Sequence, residues 1–275
     1  MGLRYYFDAQ YGAGGEAMFQ RSDSAYERAL TLDPNLILAA TQIVANRTER
    51  GNLLDSYAEA LALVNRFPDS SQAHFTLSYV LRYAGLLDEA ARECDTALSL
   101  DRTDSRLRSC VWPFAWLGQY QKAMKFLELD RGSEWVGRVT PFILLTQGKS
   151  AEARESVNHM PPGVAFGRDF LQVCLNPASD NRLDSAAKDY ESAVGSEPDP
   201  ERRYLAGTLL SYCGLQDAAA RMISSAVQKN YCAYTALQRD PLLAKLRESP
   251  QFAQLLANAK ACQADFLAKR ARTVP

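Results

Sequence analysis

A possible phosphate-binding loop lies at Gly148, Lys149 and Ser150. These residue types close the phosphate loop of nucleotide-binding proteins, in which backbone N–H groups wrap around the phosphates. That loop also needs a glycine five residues before the Gly–Lys pair, but this position holds Ile143, and the preceding residues read as a helix. We therefore expect no nucleotide site here, and Gly148 needs another explanation.

Side chains that could support acid–base or metal chemistry are few and scattered. The chain has 2 histidines, His74 and His159, too few for a histidine-based metal site or a catalytic triad. Neighbouring carboxylates such as Asp88 and Glu89 fall in turns or on exposed helix faces. No set of nucleophile, base and orienting group can be assembled from the sequence. We therefore expect no catalytic residues, no metal site and no cofactor.

The cysteines are spread along the chain with no CxxC pair and no metal-like spacing. The 6 cysteines are Cys94, Cys110, Cys174, Cys213, Cys232 and Cys262. In a chain of 275 residues this pattern favours buried, reduced thiols over a disulfide framework. It therefore predicts a cytoplasmic protein.

Composition excludes a general attraction to charged partners. The net charge is −1, so no global force draws the chain to nucleic acid or to anionic membranes. The segment 239–275 is locally basic, which we interpret as a solvated helix face rather than a nucleic-acid site. No apolar run approaches the length of a transmembrane helix. We expect neither nucleic-acid binding nor membrane insertion.

Self-similarity along the chain gives the strongest signal. A turn residue is followed five positions later by a small residue, and this pair recurs seven times along the chain. The pairs are Gly51–Ser56, Gly85–Ala90, Gly118–Ala123, Gly148–Ala153 and Gly214–Ala219, with variant copies at Ala17–Ser22 and Asn181–Ala186. Successive turn positions lie 34, 34, 33, 30, 33 and 33 residues apart. Each period holds two helical stretches, and a small residue is needed where their backbones cross closely.

This pattern resembles the tetratricopeptide repeat (TPR), a helix–turn–helix unit of about 34 residues. The resemblance implies an all-α, right-handed α-solenoid of about seven repeats. The repeats are expected at 3–36, 37–70, 71–104, 105–133, 134–166, 167–199 and 200–233. The solenoid would then occupy residues 1–238, followed by C-terminal capping helices in 239–275.

The regularity of the array is expected to fail in its middle and at its C-terminal end. Pro113 and Pro141 fall inside the first helices of repeats four and five, where each should kink or truncate its helix. The segment "LNPASDN" at 175–181 should cut short the first helix of repeat six. Prolines after Asp240 and Ser249 predict a short helix from about 241 to 247 and a longer one from about 250 to 271.

The tail also suggests an alternative context. Its segment "RDPLLAKLRESPQF" resembles the end of TPR regions in bacterial multidomain signalling proteins. There, such arrays follow a Ser/Thr kinase, an adenylate cyclase or a winged-helix regulator domain. By this resemblance the chain would be a regulatory or oligomerising module of a larger protein.

The main hypothesis is a non-catalytic scaffold that binds a peptide or protein segment in its concave groove. In TPR arrays the first helices of the repeats line that groove, and here their inner faces are rich in aromatic residues and arginine. Such residues dominate the energetics of interfaces. The expected partner-binding residues are Phe75, Tyr79, Arg82, Tyr83, Arg108, Trp112, Trp116, Trp135, Arg138, Phe142, Tyr204 and Tyr212.

The repeat register predicts where a larger side chain cannot be accommodated. Ala90→Leu and Ala186→Leu should each lower the free energy of unfolding by about 1–3 kcal/mol, because overpacking forces the helices apart. The control Arg92→Leu, on the exposed face, should stay within about 0.5 kcal/mol of the wild type. Chemical denaturation measures all three. Equal effects of the alanine and arginine substitutions would show that the repeat register is misplaced.

Overall fold

The computed structural model describes residues 1–12, 14–161, 167–176 and 182–273, and its described part contains helices and no strand. Fourteen of the helices are arranged as seven consecutive pairs, one pair for each expected repeat. The pairs are α1 (Gly2–Tyr11) with α2 (Gly15–Leu32), α3 (Ile37–Glu49) with α4 (Leu53–Arg66), α5 (Ser71–Tyr83) with α6 (Leu87–Leu100), α7 (Val111–Trp116) with α8 (Tyr120–Glu128), α9 (Glu134–Thr146) with α10 (Ser150–Asn158), α11 (Arg168–Cys174) with α12 (Leu183–Gly195), and α13 (Pro200–Tyr212) with α14 (Gln216–Gln228). The expectation of an all-α helical-repeat solenoid is confirmed.

The turn within most pairs is made by the glycine that the sequence pattern identified. Gly148 links α9 to α10 with φ at +73°, in the left-handed region that side chains with a Cβ rarely adopt. Its amide donates to the Leu145 carbonyl, as the end of a helix requires. The glycine of the apparent phosphate loop is therefore a helix-ending turn.

The small residue after each turn is fully buried in most repeats. Ser56, Ala90, Ala123 and Ala219 are each 0% exposed, as close helix crossing requires. In repeat six, however, Ala187 is the buried residue, whereas Ala186 is only partly buried. The helix α12 is thus rotated relative to the expected register, and Ala186→Leu should be milder than Ala90→Leu. The turn residue expected at position 181 lies outside the described residues.

The two prolines of the middle repeats have different outcomes. The first helix of repeat four is truncated, because Pro113 lies in the first turn of α7 and a 3₁₀ helix (Ser105–Cys110) precedes it. By contrast, Pro141 lies inside the continuous helix α9. The helix α11 ends at Cys174, in line with the expected early end of that helix, although most of the 175–181 segment lies outside the described residues.

The array closes on itself, because repeat seven packs against repeats two and three. The backbone N–H of Cys232 donates to the Tyr83 carbonyl at 2.8 Å, and Asn230 Nδ2 donates to the Gly51 carbonyl at 3.0 Å. A Cβ at Gly51 would lie 2.6 Å from the Lys229 carbonyl oxygen, so this turn leaves no room for a side chain. The contact joins residues far apart in sequence and was not expected from the repeat pattern.

The C-terminal helices cover the seam formed by this closure. After α15 (Tyr234–Arg239), a 3₁₀ turn (Pro241–Leu243) leads into α16 (Ala244–Arg247), and α17 (Phe252–Thr273) follows. The short and the long helix thus lie where the sequence places them.

The long helix α17 contacts both sides of the seam. The ring of Phe266 meets Tyr57 edge to face at 5.7 Å, and Gln263 Nε2 donates to the Gly85 carbonyl at 2.9 Å. Arg270 Nη2 lies 2.8 Å from a Glu89 carboxylate oxygen. In the described part of the chain, no helix is both long and apolar enough to cross a bilayer.

The cysteines form three disulfides, so the prediction of reduced thiols was wrong. The pairs are Cys94–Cys110, Cys174–Cys213 and Cys232–Cys262. The partners are 16, 39 and 30 residues apart in sequence, but helix stacking brings their Cα atoms to 6.0, 5.8 and 5.2 Å. Each bridge joins segments that the fold brings together from distant places in the sequence, so no CxxC spacing announces it.

Thiol labelling tests this pairing. Protein purified from an oxidising compartment, then denatured without reductant, should show no maleimide-reactive cysteine by mass spectrometry, because all six thiols are paired. After reduction all six should react, and the free energy of unfolding should fall by about 2–4 kcal/mol per bridge. Six reactive thiols before reduction would contradict the assignment.

Candidate binding cavity on the concave face

A cavity of about 360 Å³ opens on the concave face where α1, α3, α5, α7, α9 and the start of α13 converge. Closure of the array forms it, because α13 of repeat seven supplies one wall and the first three repeats supply most of the remainder. Its walls combine aromatic rings with a group of carboxylates. Ligand-binding clefts begin at about 300 Å³, so this cavity is large enough to hold part of a ligand.

Five of the expected partner-binding residues line this cavity, namely Phe75, Tyr79, Arg108, Trp112 and Trp135. Phe75, Tyr79, Arg108 and Trp135 are half-buried, while Trp112 is almost fully buried. The guanidinium of Arg108 lies 5.1 Å from the centre of the Trp135 ring and 2.7 Å from Asp130. These five residues therefore form part of the cavity wall, and their role in partner binding stays a prediction.

Five other expected residues lie in the core, which is a correction to their expected exposure in the groove. They are Arg82, Tyr83, Trp116, Phe142 and Tyr204, all nearly inaccessible to solvent. The four aromatic rings pack on other rings, as Trp116 does on Tyr204 at 5.5 Å. For the residues of α5 and α7 the physical reason is closure, since α13 covers inner faces that would face solvent in an open solenoid. Phe142 of α9 instead packs edge to face on Trp112 at 5.9 Å.

The last two expected residues lie outside the cavity. Arg138 forms an ion pair with Glu134 on its own helix at 2.8 Å. The Tyr212 hydroxyl lies 2.9 Å from Ser150 Oγ, at the start of α10. Neither residue forms part of the wall described above.

The floor of the cavity consists of polar residues that sequence reasoning missed. Three buried carboxylates meet there, Glu49 at the end of α3, Asp199 at the N-cap of α13, and Glu201 in its first turn. Asp199 carried a local signal, since an Asp before Pro200 marks a helix start. No signal placed Glu49 beside it, because the two are brought together by closure.

Neutral donors hold the Glu49 carboxylate. The hydroxyls of Tyr6 and Tyr79 donate to Oε1 at 3.0 and 2.8 Å, and Gln10 Nε2 donates to Oε2 at 2.9 Å. Tyr79 also lies beside Tyr83, with hydroxyl oxygens 3.1 Å apart. The three donors come from α1 and α5, so Glu49 joins the N-terminal repeats at the cavity floor.

The other two carboxylates are held by arginines and tyrosines. Arg82 Nη2 donates to Glu201 at 2.9 Å, and Arg82 Nε lies 2.8 Å from the second oxygen of Glu201. Tyr83 donates its hydroxyl to Asp199 at 2.9 Å. Arg202 lies 3.7 Å from Asp199 and 3.1 Å from Glu197. The bonds of Arg82 and Tyr83 tie repeat three to the start of α13.

Burial makes the carboxyls at the floor weak acids. Burial, reinforced by the charge of Asp199, raises the pKa of Glu49 to about 8. Burial likewise raises the pKa of Glu201 to about 7, against the opposing attraction of Arg82. The pKa of Asp199 is raised as well, again chiefly by burial. Glu49 and Glu201 therefore titrate near neutral pH.

An apolar rim surrounds the mouth of the cavity. Leu3, Phe7 and Leu38 line it and remain about half exposed. These large apolar side chains come from the N-terminal repeats, and Phe75 continues the same surface inward. Grouped exposed apolar residues next to a cavity are typical of a binding site.

Stability should fall as pH rises through the range in which these carboxyls titrate. Because the folded pKa of Glu49 lies above its ordinary value of 4.5, the folded state holds more protons between about pH 4.5 and pH 8. The free energy of unfolding therefore decreases across that window. Glu49→Gln should remove a few kcal/mol of this decrease, measured by urea denaturation at about pH 5, 6.5 and 8.

The control Glu152→Gln, an exposed position on α10, should keep the wild-type dependence. If wild type and Glu49→Gln lost the same stability across this window, the Glu49 carboxyl would not be buried in the folded protein.

Comparison with known proteins supports the fold. No protein-family model matches the chain, and no curated protein matches it. Among solved structures, the chain is similar to a chain of the APC/C hetero-tetramer Cut9–Hcn1, with a TM-score of 0.60 and 13% identity. The similarity covers 100% of this chain and 55% of that one, so this chain spans about half the length of its neighbour.

Two further structures are similar at lower scores. A tetratricopeptide repeat protein from Parabacteroides merdae gives a TM-score of 0.48 at 14% identity, over 94% of this chain and 96% of that one. YrrB, described as a TPR protein with an unusual peptide-binding site, gives 0.33 at 13% identity, over 76% and 95%. The helix pairs with their glycine turns, together with the superposition on the Cut9–Hcn1 chain, show that this protein has the tetratricopeptide-repeat fold.

Proposed function

We propose that the chain is a non-catalytic interaction scaffold and that its concave cavity binds a segment of a partner protein. The observation that carries this proposal is the half-buried aromatic wall of Phe75, Tyr79 and Trp135, continued outward by an exposed apolar rim. Partly exposed rings can bury further area against a ligand, at roughly 25 cal/mol per Å². Aromatic anchors of this kind supply most of the affinity at interfaces.

The shape and chemistry of the cavity fit a protein segment better than a small metabolite. The mouth is broad and apolar, while the polar groups lie at the floor, so a ligand must both cover the rim and reach inward. A chain segment with one or two inserted side chains does both. Among the described residues, no cluster of three or more His, Cys, Asp or Glu side chains is arranged to hold a metal ion.

The Cut9–Hcn1 chain, on which this chain superposes, also assembles with other protein chains, since it is part of a hetero-tetramer. At 13% identity the likeness itself concerns the fold alone. The disulfides also bear on the compartment in which the chain resides. Three disulfides favour an oxidising compartment, and they weigh against the cytoplasmic location, which stays an untested prediction.

A random peptide library displayed on phage tests the proposal directly. Peptides selected on the wild-type chain should bind the cavity, so Phe75→Ala should weaken them by about 2 kcal/mol, or roughly 30-fold. The free energy of unfolding should change less than the roughly 3–5 kcal/mol expected for a fully buried phenylalanine. Binding is measured by titration calorimetry.

A matched leucine pair supplies the control. Leu38, 48% exposed at the rim, and Leu32, 82% exposed and away from the cavity, can both be replaced by Glu without burying a charge. Leu38→Glu should abolish or strongly weaken peptide binding, and Leu32→Glu should leave it unchanged. Equal effects of the two substitutions, or no peptide that depends on Phe75, would refute the proposal.

A further inference from the structure

The floor of the cavity and its immediate surroundings hold more carboxyl groups than basic side chains. Glu201 is matched by Arg82, with two close contacts between them. Arg202 is shared between Asp199 and Glu197, so one guanidinium faces two carboxylates. Glu49 contacts neutral donors and forms no ion pair with a Lys or Arg side chain of the described residues. Arg203 adds a third charge that acts on Glu197 and Asp199, so four carboxyl groups face three arginines.

A second observation at the same place points to a missing donor. Gln10 is 4% exposed, and its side-chain amide nitrogen donates to Glu49 and to Asp199 at 2.9 and 3.4 Å. Its side-chain oxygen, Oε1, is buried and accepts no hydrogen bond from the residues that the structure describes. Exchanging the amide oxygen and nitrogen would place the oxygen against two carboxylates and leave the nitrogen unpaired instead. A buried acceptor without a donor is destabilising and uncommon.

One kind of ligand group would satisfy both features. A cation with several N–H donors could pair with the Glu49 and Asp199 carboxylates and donate to the Gln10 oxygen at once. All three residues line the cavity, so the site is reached from its mouth. The walls along that path are apolar and aromatic, which suits the aliphatic stem of a lysine or arginine side chain. A guanidinium has five donors in a planar fork and fits this set of acceptors best.

We propose that Glu49, Asp199 and the side-chain oxygen of Gln10 form a subsite for the basic side chain of a bound protein segment. This inference deepens the proposed function and rests on it. The ligand is then a segment in which an arginine or lysine is flanked by apolar residues. The arginines among the expected partner-binding residues do not oppose this, because Arg82, Arg108 and Arg138 are already paired with carboxylates.

Binding at this subsite should release a proton. In the free protein the groups around Glu49 are Tyr6 and Gln10 of α1, Tyr79 of α5, and Asp199 and Arg202 of α13. Burial and the Asp199 charge favour the neutral Glu49 carboxyl, whereas a bound guanidinium favours the ionised one. Affinity for an arginine-containing peptide should therefore rise with pH up to about pH 8 and level off above it.

The experiment uses peptides selected by phage display on the wild-type chain, synthesised with arginine and with citrulline, its neutral isostere. We expect the selected peptides to contain arginine or lysine beside apolar residues. Citrulline should weaken binding to the wild type at least about tenfold, and Glu49→Gln should bind both forms within about twofold of each other. Glu152→Gln serves as the control and should discriminate as the wild type does.

Calorimetry in two buffers of different ionisation enthalpy gives a readout that needs no variant. Near pH 7 the wild type should release up to about one proton for each arginine peptide that it binds. Cavity-binding peptides without a basic residue, equal affinity for citrulline, or no proton release would overturn the subsite and leave the proposed function standing. If no selected peptide depends on Phe75, the proposed function fails, and the subsite fails with it.

Discussion

The buried contact between Arg82 and Glu201 is the interaction on which the rest of the structure depends. It joins repeat three to repeat seven across 119 residues of sequence. In an ordinary solenoid each repeat contacts its neighbours, and stability is a sum of local terms. Here the bond from Tyr83 to Asp199 and the bond from Cys232 to Tyr83 reinforce the same long-range contact. The array is therefore closed, and both its core and its cavity follow from that closure.

Closure explains why some of the inner-face residues are buried in the core, whereas others line the cavity. Where α13 covers α5 and α7, rings such as Trp116 and Tyr204 pack together as core. Where the first repeats leave a gap beside α13, Phe75 and Trp135 stay partly exposed around a cavity. The packing of α13 against the first repeats also brings carboxylates from α3 and α13 together at the cavity floor. Desolvating those groups costs free energy, and a cationic ligand group would offset part of that cost.

The sequence was sufficient to predict the features that depend on local spacing, namely the turns and the small residues at helix crossings. The 33–34-residue period identified the glycine turns, and the closely crossing helices placed Ala90 and Ala123 in the core. It was insufficient wherever distant helices meet. Rotation of α12 exchanged Ala186 for Ala187, and helix stacking paired cysteines such as Cys174 and Cys213. The acidic floor was missed for the same reason, because no periodicity relates Glu49 to Asp199. The likeness of the tail to bacterial signalling proteins stays a prediction that sequence context must test.

A double-mutant cycle between Arg82 and Glu201 tests the closure most directly. Arg82→Met and Glu201→Met should each lower the free energy of unfolding by about 3–5 kcal/mol, because each leaves a buried charge unpaired. The double variant should be more stable than the sum of the two losses predicts, with a coupling energy of about 2 kcal/mol or more. Additivity of the two losses within about 0.5 kcal/mol would mean that the residues do not meet and that the solenoid is open.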